Sequence, residues 1–177
     1  MALSLTALDE VINARISLHG GGRGAPAKLG DGSREGLALN KACVVLLSAA
    51  LQSYVEDVFL ICSFKAFGRT LIDDELKNYQ ATWSRWGNPN PGNITTLFRR
   101  LGVDDILAGL SWQKQSTAQV KNTLDAINQV RNCIAHGSDI KVNKKDFPLH
   151  LAHIRRWRNS CEQFGARFDD HAASKIK

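Results

Sequence analysis

A chain of 177 residues with 44% hydrophobic and 23% charged side chains can bury a real core and is too apolar to be disordered. Its net charge of +6 and pI near 9.3 favour an anionic partner such as nucleic acid, although basic charge alone is weak ground for one. Cys43, Cys62, Cys133 and Cys161 lie far apart with no CxxC pair; so few cysteines in a chain this size argue against a disulfide framework, and apolar neighbours suggest small buried hydrophobes in three of the four cases.

The N-terminal MALSLTALDEV has neither a basic region nor a long apolar run, so no signal peptide is expected. No uninterrupted apolar stretch reaches about 18 residues, so no membrane span is expected either, and the default location is the cytoplasm. Thr6 or Ser4 can cap a first helix reaching about Leu18, with Leu5, Leu8, Val11, Ile12 and Ile16 facing inward. The glycine-rich HGGGRGAPAKLGDGS (19–33) is a loop. It lacks the GK[ST] ending of a phosphate loop and no strand precedes it, so nucleotide binding is not expected there. Residues 35–67 form the most apolar segment, expected to be the central helix of a bundle, with Val44, Leu47, Leu51, Val55, Val58 and Cys62 on one face. Glu56 and Asp57 interrupt it. Either both point to solvent, or one of them, Glu56 before Asp57, turns inward to pair with Arg131.

Asp73 or Asp74 starts a short helix through Trp83. NPNPGN (88–93) is a loop, and Asn93 can cap the helix ITTLFRRL, which Gly102 ends. Asp104 opens a further turn. SDIKVNKKDFP reads as a polar connector, and Asp146 can cap a last helix from about Phe147 to Ala172, carrying Leu149, Ile154, Trp157 and Phe164. Nothing reads clearly as strand, no internal repeat appears, and residues 1–177 are expected to form one all-α domain.

The stretch that carries chemistry is Ser116 to Gly137, STAQVKNTLDAINQVRNCIAHG. Val120, Leu124, Ile127 and Ile134 recur at helical spacing, and the missing member of that series is Arg131. A guanidinium on a core stripe must be paired or must serve a ligand. His136 follows five residues later, before Gly137, which can end the helix. Metal-free RNA cleavage needs a base for the 2′-hydroxyl, an acid for the leaving 5′-oxygen and a cation for the phosphate; histidine can do the first or second near neutral pH and arginine the third, bidentately. On a straight helix, however, residues five apart diverge by about 140° and lie ~7.5 Å apart along the axis. They meet only if the helix loosens near His136, if long side chains reach round, or if a second copy of the chain completes the site. Asn132 shares a face with His136 and can orient the imidazole or the phosphate. The plainer reading is a structural salt bridge at Arg131 and a helix-end histidine favoured by the dipole.

VRNCIAHG resembles the R-x4-6-H motif of the HEPN superfamily of α-helical ribonucleases and RNA-associated domains, nearest to its RiboL-PSP or MAE_28990-like group. ACVVLLSAALQSYVEDVF resembles that family's central helix with its acidic residue, and NPNPGNITTLFRRLGVDDIL the segment before the motif helix. The resemblance spans roughly residues 37–165. It implies an HEPN-like bundle of four main helices with short ones added, usually a two-fold dimer that places two motifs in one cleft. It also implies a metal-independent endoribonuclease of a toxin or phage-defence system, leaving a 2′,3′-cyclic phosphate. Arg131 and His136 would be catalytic, Asn132 the polar helper and Glu56 the acidic position. Some members do not cleave RNA, so a non-catalytic module binding RNA or a partner protein is the alternative.

RNA is the expected partner, with a possible antitoxin or other defence protein and no membrane. Arg155, Arg156 and Arg158 around Trp157 suit phosphate contact and stacking, or else form a solvated face with Trp157 in the core. His150, His153 and Cys161 lack a tight metal spacing, and no metal or cofactor is expected.

Overall fold

The apolar run predicted to be central is one long helix, α2 (Leu37–Phe67), and five other helices pack on it. The molecule is seen in a computed structural model that describes residues 1–18, 26–30, 32 and 34–176. Most of the glycine-rich 19–33 stretch therefore lies outside the described residues. Around α2 stand α1 (Thr6–Ser17), α3 (Asp73–Ala81), α4 (Pro91–Arg99), α5 (Thr117–Ala135), α6 (Leu151–Gly165) and α7 (Phe168–Lys175). The fold is all-α, with one small hairpin, β1 (Lys141–Val142) and β2 (Lys145–Asp146), between α5 and α6.

The expected face of α2 is the buried one: Cys43, Val44, Leu47, Leu51 and Val55 are fully covered, and Val58 and Cys62 nearly so. Burial in this apolar setting raises the Cys43 and Cys62 thiols to about 11, as suits packing residues rather than nucleophiles. By length and composition α2 could cross a membrane, with a mean hydropathy of 1.6 over its most apolar window. The expectation of no such segment considered only uninterrupted apolar runs, which Asn40, Lys41 and Gln52 break up. Here the apolar character serves packing on several sides, because α1, α4, α5, α6 and α7 all lie against this helix.

Several boundaries differ from expectation for local reasons. Asn90, not Asn93, caps α4: its Oδ1 accepts from Asn93 N at 2.8 Å, and Pro91 takes the first helical position. The polar connector contains the hairpin. Asn143 and Lys144 have φ of 52° and 66°, the left-handed pair of a two-residue turn, with Lys144 where glycine is commoner. Asn143 N donates to Gln129 Oε1 at 2.7 Å, so the hairpin leans on α5. Asp146 is consequently a strand residue and not a helix cap, and α6 begins at Leu151 after His150. The last helix is two helices. Gly165 is buried against Leu3, and a Cβ there would lie 2.5 Å from Leu3 Cβ. After this close approach the chain bends, and Phe168 and Ala172 of α7 turn back into the core.

Position 15 breaks the apolar face of α1. Leu8 and Ile12 are buried as expected, but Val11 and Ile16 are half-exposed while Arg15 is buried. α1 is also tied to α6 by Asp9, whose carboxylate accepts from Arg158 Nε and Nη2, each at 2.9 Å. Arg158 holds the Asp9 carboxyl below its ordinary range. With Asp9 40% exposed, solvent limits the pair, and Asp9→Asn should cost about 0.5–1 kcal/mol in urea unfolding near neutral pH. A carboxylate with a lowered folded pKa stabilises above its unfolded value and loses that contribution as pH falls through the folded one. The difference between wild type and Asp9→Asn should therefore be full above about pH 4 and shrink below it. A difference that does not change down to pH 2.5 would contradict this assignment.

Candidate functional site

α5 is specified at both ends. Ser116 Oγ accepts from Gln119 N, and the Gln119 side chain accepts from Ser116 N, a capping box. At the other end His136 is the C-cap and Gly137 has φ of 63°. Gly137 N donates to Ile134 O at 3.2 Å and Ser138 N to Cys133 O at 3.0 Å, the paired bonds of a Schellman turn. This turn leaves His136 exposed at the helix tip.

The buried face of α5 is not quite the one the spacing suggests. Val120, Leu124 and Ile127 are buried, but the next buried residues are Asn128 and Val130, and Arg131 and Ile134 are only half-buried. Arg131 therefore stands at the edge of the core. It makes no ion pair with a carboxylate among the described residues, and its Nη1 donates to Asn132 Oδ1 at 3.4 Å. The pairing of Arg131 with Glu56 is not made. Glu56 Oε1 instead accepts from the Trp86 indole N–H at 2.8 Å and from Gln52 Nε2 at 3.2 Å. An indole N–H can only donate and needs an acceptor when half-buried, and the Glu56 carboxylate on α2 supplies it. Asp57 points to solvent.

The loop that brings Trp86 to Glu56 also reaches the motif. Asn88 Nδ2 donates to Asn132 Oδ1 at 3.1 Å. Asn93 Nδ2 holds the Asn88 carbonyl at 2.9 Å, and Gly87, with φ of 98°, leaves room for Asn93: a Cβ at 87 would sit 2.6 Å from its Nδ2. One strap, residues 86–88, thus joins Glu56 on α2 to Asn132 on α5. With Oδ1 occupied by two donors, the Asn132 Nδ2 is left for another partner. Neither Trp86 nor Asn88 stands out as a site residue in the sequence; the only signal was the tight Gly-Asn-Pro-Asn-Pro turn composition. Asn88→Ala would remove this anchor of Asn132 while leaving Glu56 held by Trp86 and Gln52.

The divergence of Arg131 and His136 persists in the single chain. α5 stays α-helical through Ala135, so the two side chains leave the axis about 140° apart. On α6, Trp157 is buried and stacks on Phe147, with centroids 5.7 Å apart, so it offers no face to a base. Arg158 is engaged by Asp9 and by Glu162, the latter at 2.7 Å, whereas Arg155 and Arg156 are exposed and make no ion pair among the described residues. No hydrogen bond among the described residues joins these arginines to the α5 motif. His153 Nδ1 accepts from His150 N at 3.3 Å, and Cys161 lies buried two turns on. Among the described residues no group of three His, Cys, Asp or Glu is placed to hold a metal.

A family model, RiboL-PSP-HEPN, matches residues 25–174. The chain belongs to the RiboL-PSP-HEPN family. Neither the curated proteins nor the solved structures hold a match to it. HEPN membership accounts for the all-α bundle and fits a nuclease or an RNA-binding module. The match also covers the α2, strap and α5 residues just described.

Proposed function

We propose that this HEPN protein is a metal-independent endoribonuclease in which Arg131, Asn132 and His136 carry the reaction. The observation that carries this reading is a half-buried arginine with no carboxylate partner among the described residues, beside an asparagine pinned through its oxygen and an exposed histidine fixed at the same helix end. The imidazole takes the proton of the attacking 2′-hydroxyl or gives one to the leaving 5′-oxygen, and water exchanges the other, so that protons balance over the step. The 2′-oxygen bonds to phosphorus, the bond to the 5′-oxygen breaks, and a 2′,3′-cyclic phosphate and a 5′-hydroxyl result. Arg131 neutralises the charge that builds on the phosphate oxygens, and Asn132 Nδ2 donates to one of them. Glu56 acts through the strap, as a positioning residue.

Because the two side chains diverge, the site is completed by a second copy in a two-fold dimer, which puts one protomer's arginine opposite its partner's histidine. Arg155 and Arg156 supply non-specific attraction to RNA. A role in toxin action or phage defence, with an antitoxin or another defence protein as partner in the cytoplasm, follows from the family resemblance. The test is incubation of purified protein with total RNA and tRNA in EDTA. Discrete products ending in a cyclic phosphate support the enzyme. RNA binding with no product on any RNA would favour the second reading, a non-catalytic module, for which the exposed Arg155 and Arg156 speak.

A further inference from the structure

Burial normally forces a polar side chain into a hydrogen bond, and two side chains lining one cavity depart from that rule. The cavity, of about 1130 Å³, lies between the end of α1, the start of α2 and residues 137–152. Arg15 lines it and is 3% exposed. Its Nη2 donates to Glu35 O at 3.0 Å, while Nε and Nη1 are buried without a hydrogen-bond partner. No ion pair among the described residues reaches it. Gly36, with φ of 74°, lies against the guanidinium, and a Cβ there would sit 2.3 Å from Nε. Backbone therefore shields Nε, and Nη1 is the donor left for a ligand. Asn40 lines the same cavity and is 4% exposed. Its Nδ2 donates to Leu149 O at 3.0 Å, and its Oδ1 is buried and unpartnered.

The two orphans call for different chemistry. An uncompensated buried guanidinium is costly, so Nη1 calls for an anion. The amide oxygen of Asn40 calls for an N–H or O–H donor. Arg15 lies against Gly36, and Asn40 N donates to Gly36 O at 3.1 Å, so the orphans stand about one helical turn apart and one small fragment can serve both. The end of a polypeptide is such a fragment: its carboxylate can meet the arginine, and the amide N–H of the same residue the asparagine. The walls select the rest. Leu37, Ile140 and Leu149 offer apolar surface to a terminal side chain. Charge is divided across the mouth, with Arg34 and Lys41 on the α2 side and the exposed Asp139 and Asp146 on the hairpin side. Glu35 also lines the cavity, but it holds Arg15 through its backbone carbonyl and not its carboxylate. One buried guanidinium compensates a single negative charge, and the two aspartates repel a polyanion while attracting a cationic residue on the chain leaving the cavity. The volume exceeds the usual small-molecule range of about 300–1,000 Å³, as a peptide of several residues requires.

We propose that this cavity captures the C-terminus of a partner protein. The last residue is apolar, its carboxylate meets Arg15 and its amide N–H meets Asn40 Oδ1, and a lysine or arginine shortly before it lies between Asp139 and Asp146. The site is independent of the nuclease reading, since it uses none of Arg131, Asn132 and His136.

The probes are an N-acetylated tetrapeptide that ends in leucine and has lysine two places earlier, its C-terminal amide, its glutamate-for-lysine analogue, N-acetylleucine and inorganic phosphate. Each is titrated into the protein by calorimetry. The lysine peptide should bind saturably and at least ten-fold tighter than its amide or N-acetylleucine. Arg15→Gln should erase the preference for the acid over the amide. Should that variant fail to fold, Asp139→Lys, a change at an exposed position, still decides the matter: it should weaken the lysine peptide about five-fold relative to the glutamate analogue. No saturable binding of the lysine peptide up to about 10 mM would overturn the proposal. So would an amide that binds as well as the acid, or binding indifferent to Asp139→Lys. N-acetylleucine matching the peptide would show a site for small free carboxylates instead, and phosphate displacing the peptide a site for inorganic anions; either result overturns capture of a protein end.

Discussion

His136→Ala should abolish RNA cleavage and leave the fold intact. A proton-transfer group is worth about 10²–10⁴-fold in rate. The imidazole is exposed and makes no side-chain hydrogen bond among the described residues, and the backbone bond from His136 N to Asn132 O at 3.0 Å survives the substitution. Stability should therefore change by less than about 0.5 kcal/mol. Cleavage rates beside urea midpoints separate the two effects, and a wild-type rate in the variant would end the catalytic assignment. Mixing adds the arrangement. If Arg131 of one protomer works with its partner's His136, Arg131→Ala and His136→Ala proteins, each inactive, should regain activity when combined, because one site of the mixed dimer keeps both groups. Persistent inactivity of the mixture, with mixed dimers demonstrated, would show that each chain builds its own site.

Phe59→Ala should be the most damaging single truncation in the core. The ring is fully buried and lies edge-on to Trp83 at 5.1 Å and to Phe98 at 5.4 Å, with Tyr79 stacked at 6.4 Å. Phe98 in turn meets Phe168, so one cluster ties α2, α3, α4 and α7. Removing a buried phenyl costs about 3–5 kcal/mol. For a domain of this size the melting temperature should fall by roughly 6–20 °C. A fall under about 3 °C would mean the cluster collapses around the gap.

The helices were legible where periodicity and caps agreed. α5 announces itself through Ser116, Gln119 and Gly137, and α2 through a face of six apolar residues that is the buried one. Side-chain partners were less legible, because they depend on which elements meet. Glu56 was open to either Arg131 or solvent in the sequence, and a tryptophan thirty residues away decided otherwise. Arg131 sat on the apolar series by number, yet the burial line shifts to Val130, so the guanidinium lies at a border. Arg158 looked like one of three equivalent surface arginines until α1 supplied Asp9. Arg15 gave no signal, since an arginine near a helix end is ordinarily solvated and its burial depends on Gly36 crossing above it.

The Schellman turn at Gly137 has a thermodynamic side. A histidine on a free loop would surrender backbone freedom each time it met its substrate, and that loss would be charged against transition-state affinity. At the tip of a capped helix the loss is taken once, during folding. In the proposed site, His136 would meet each substrate from a backbone already in a single conformation, with only its side-chain torsions left to settle.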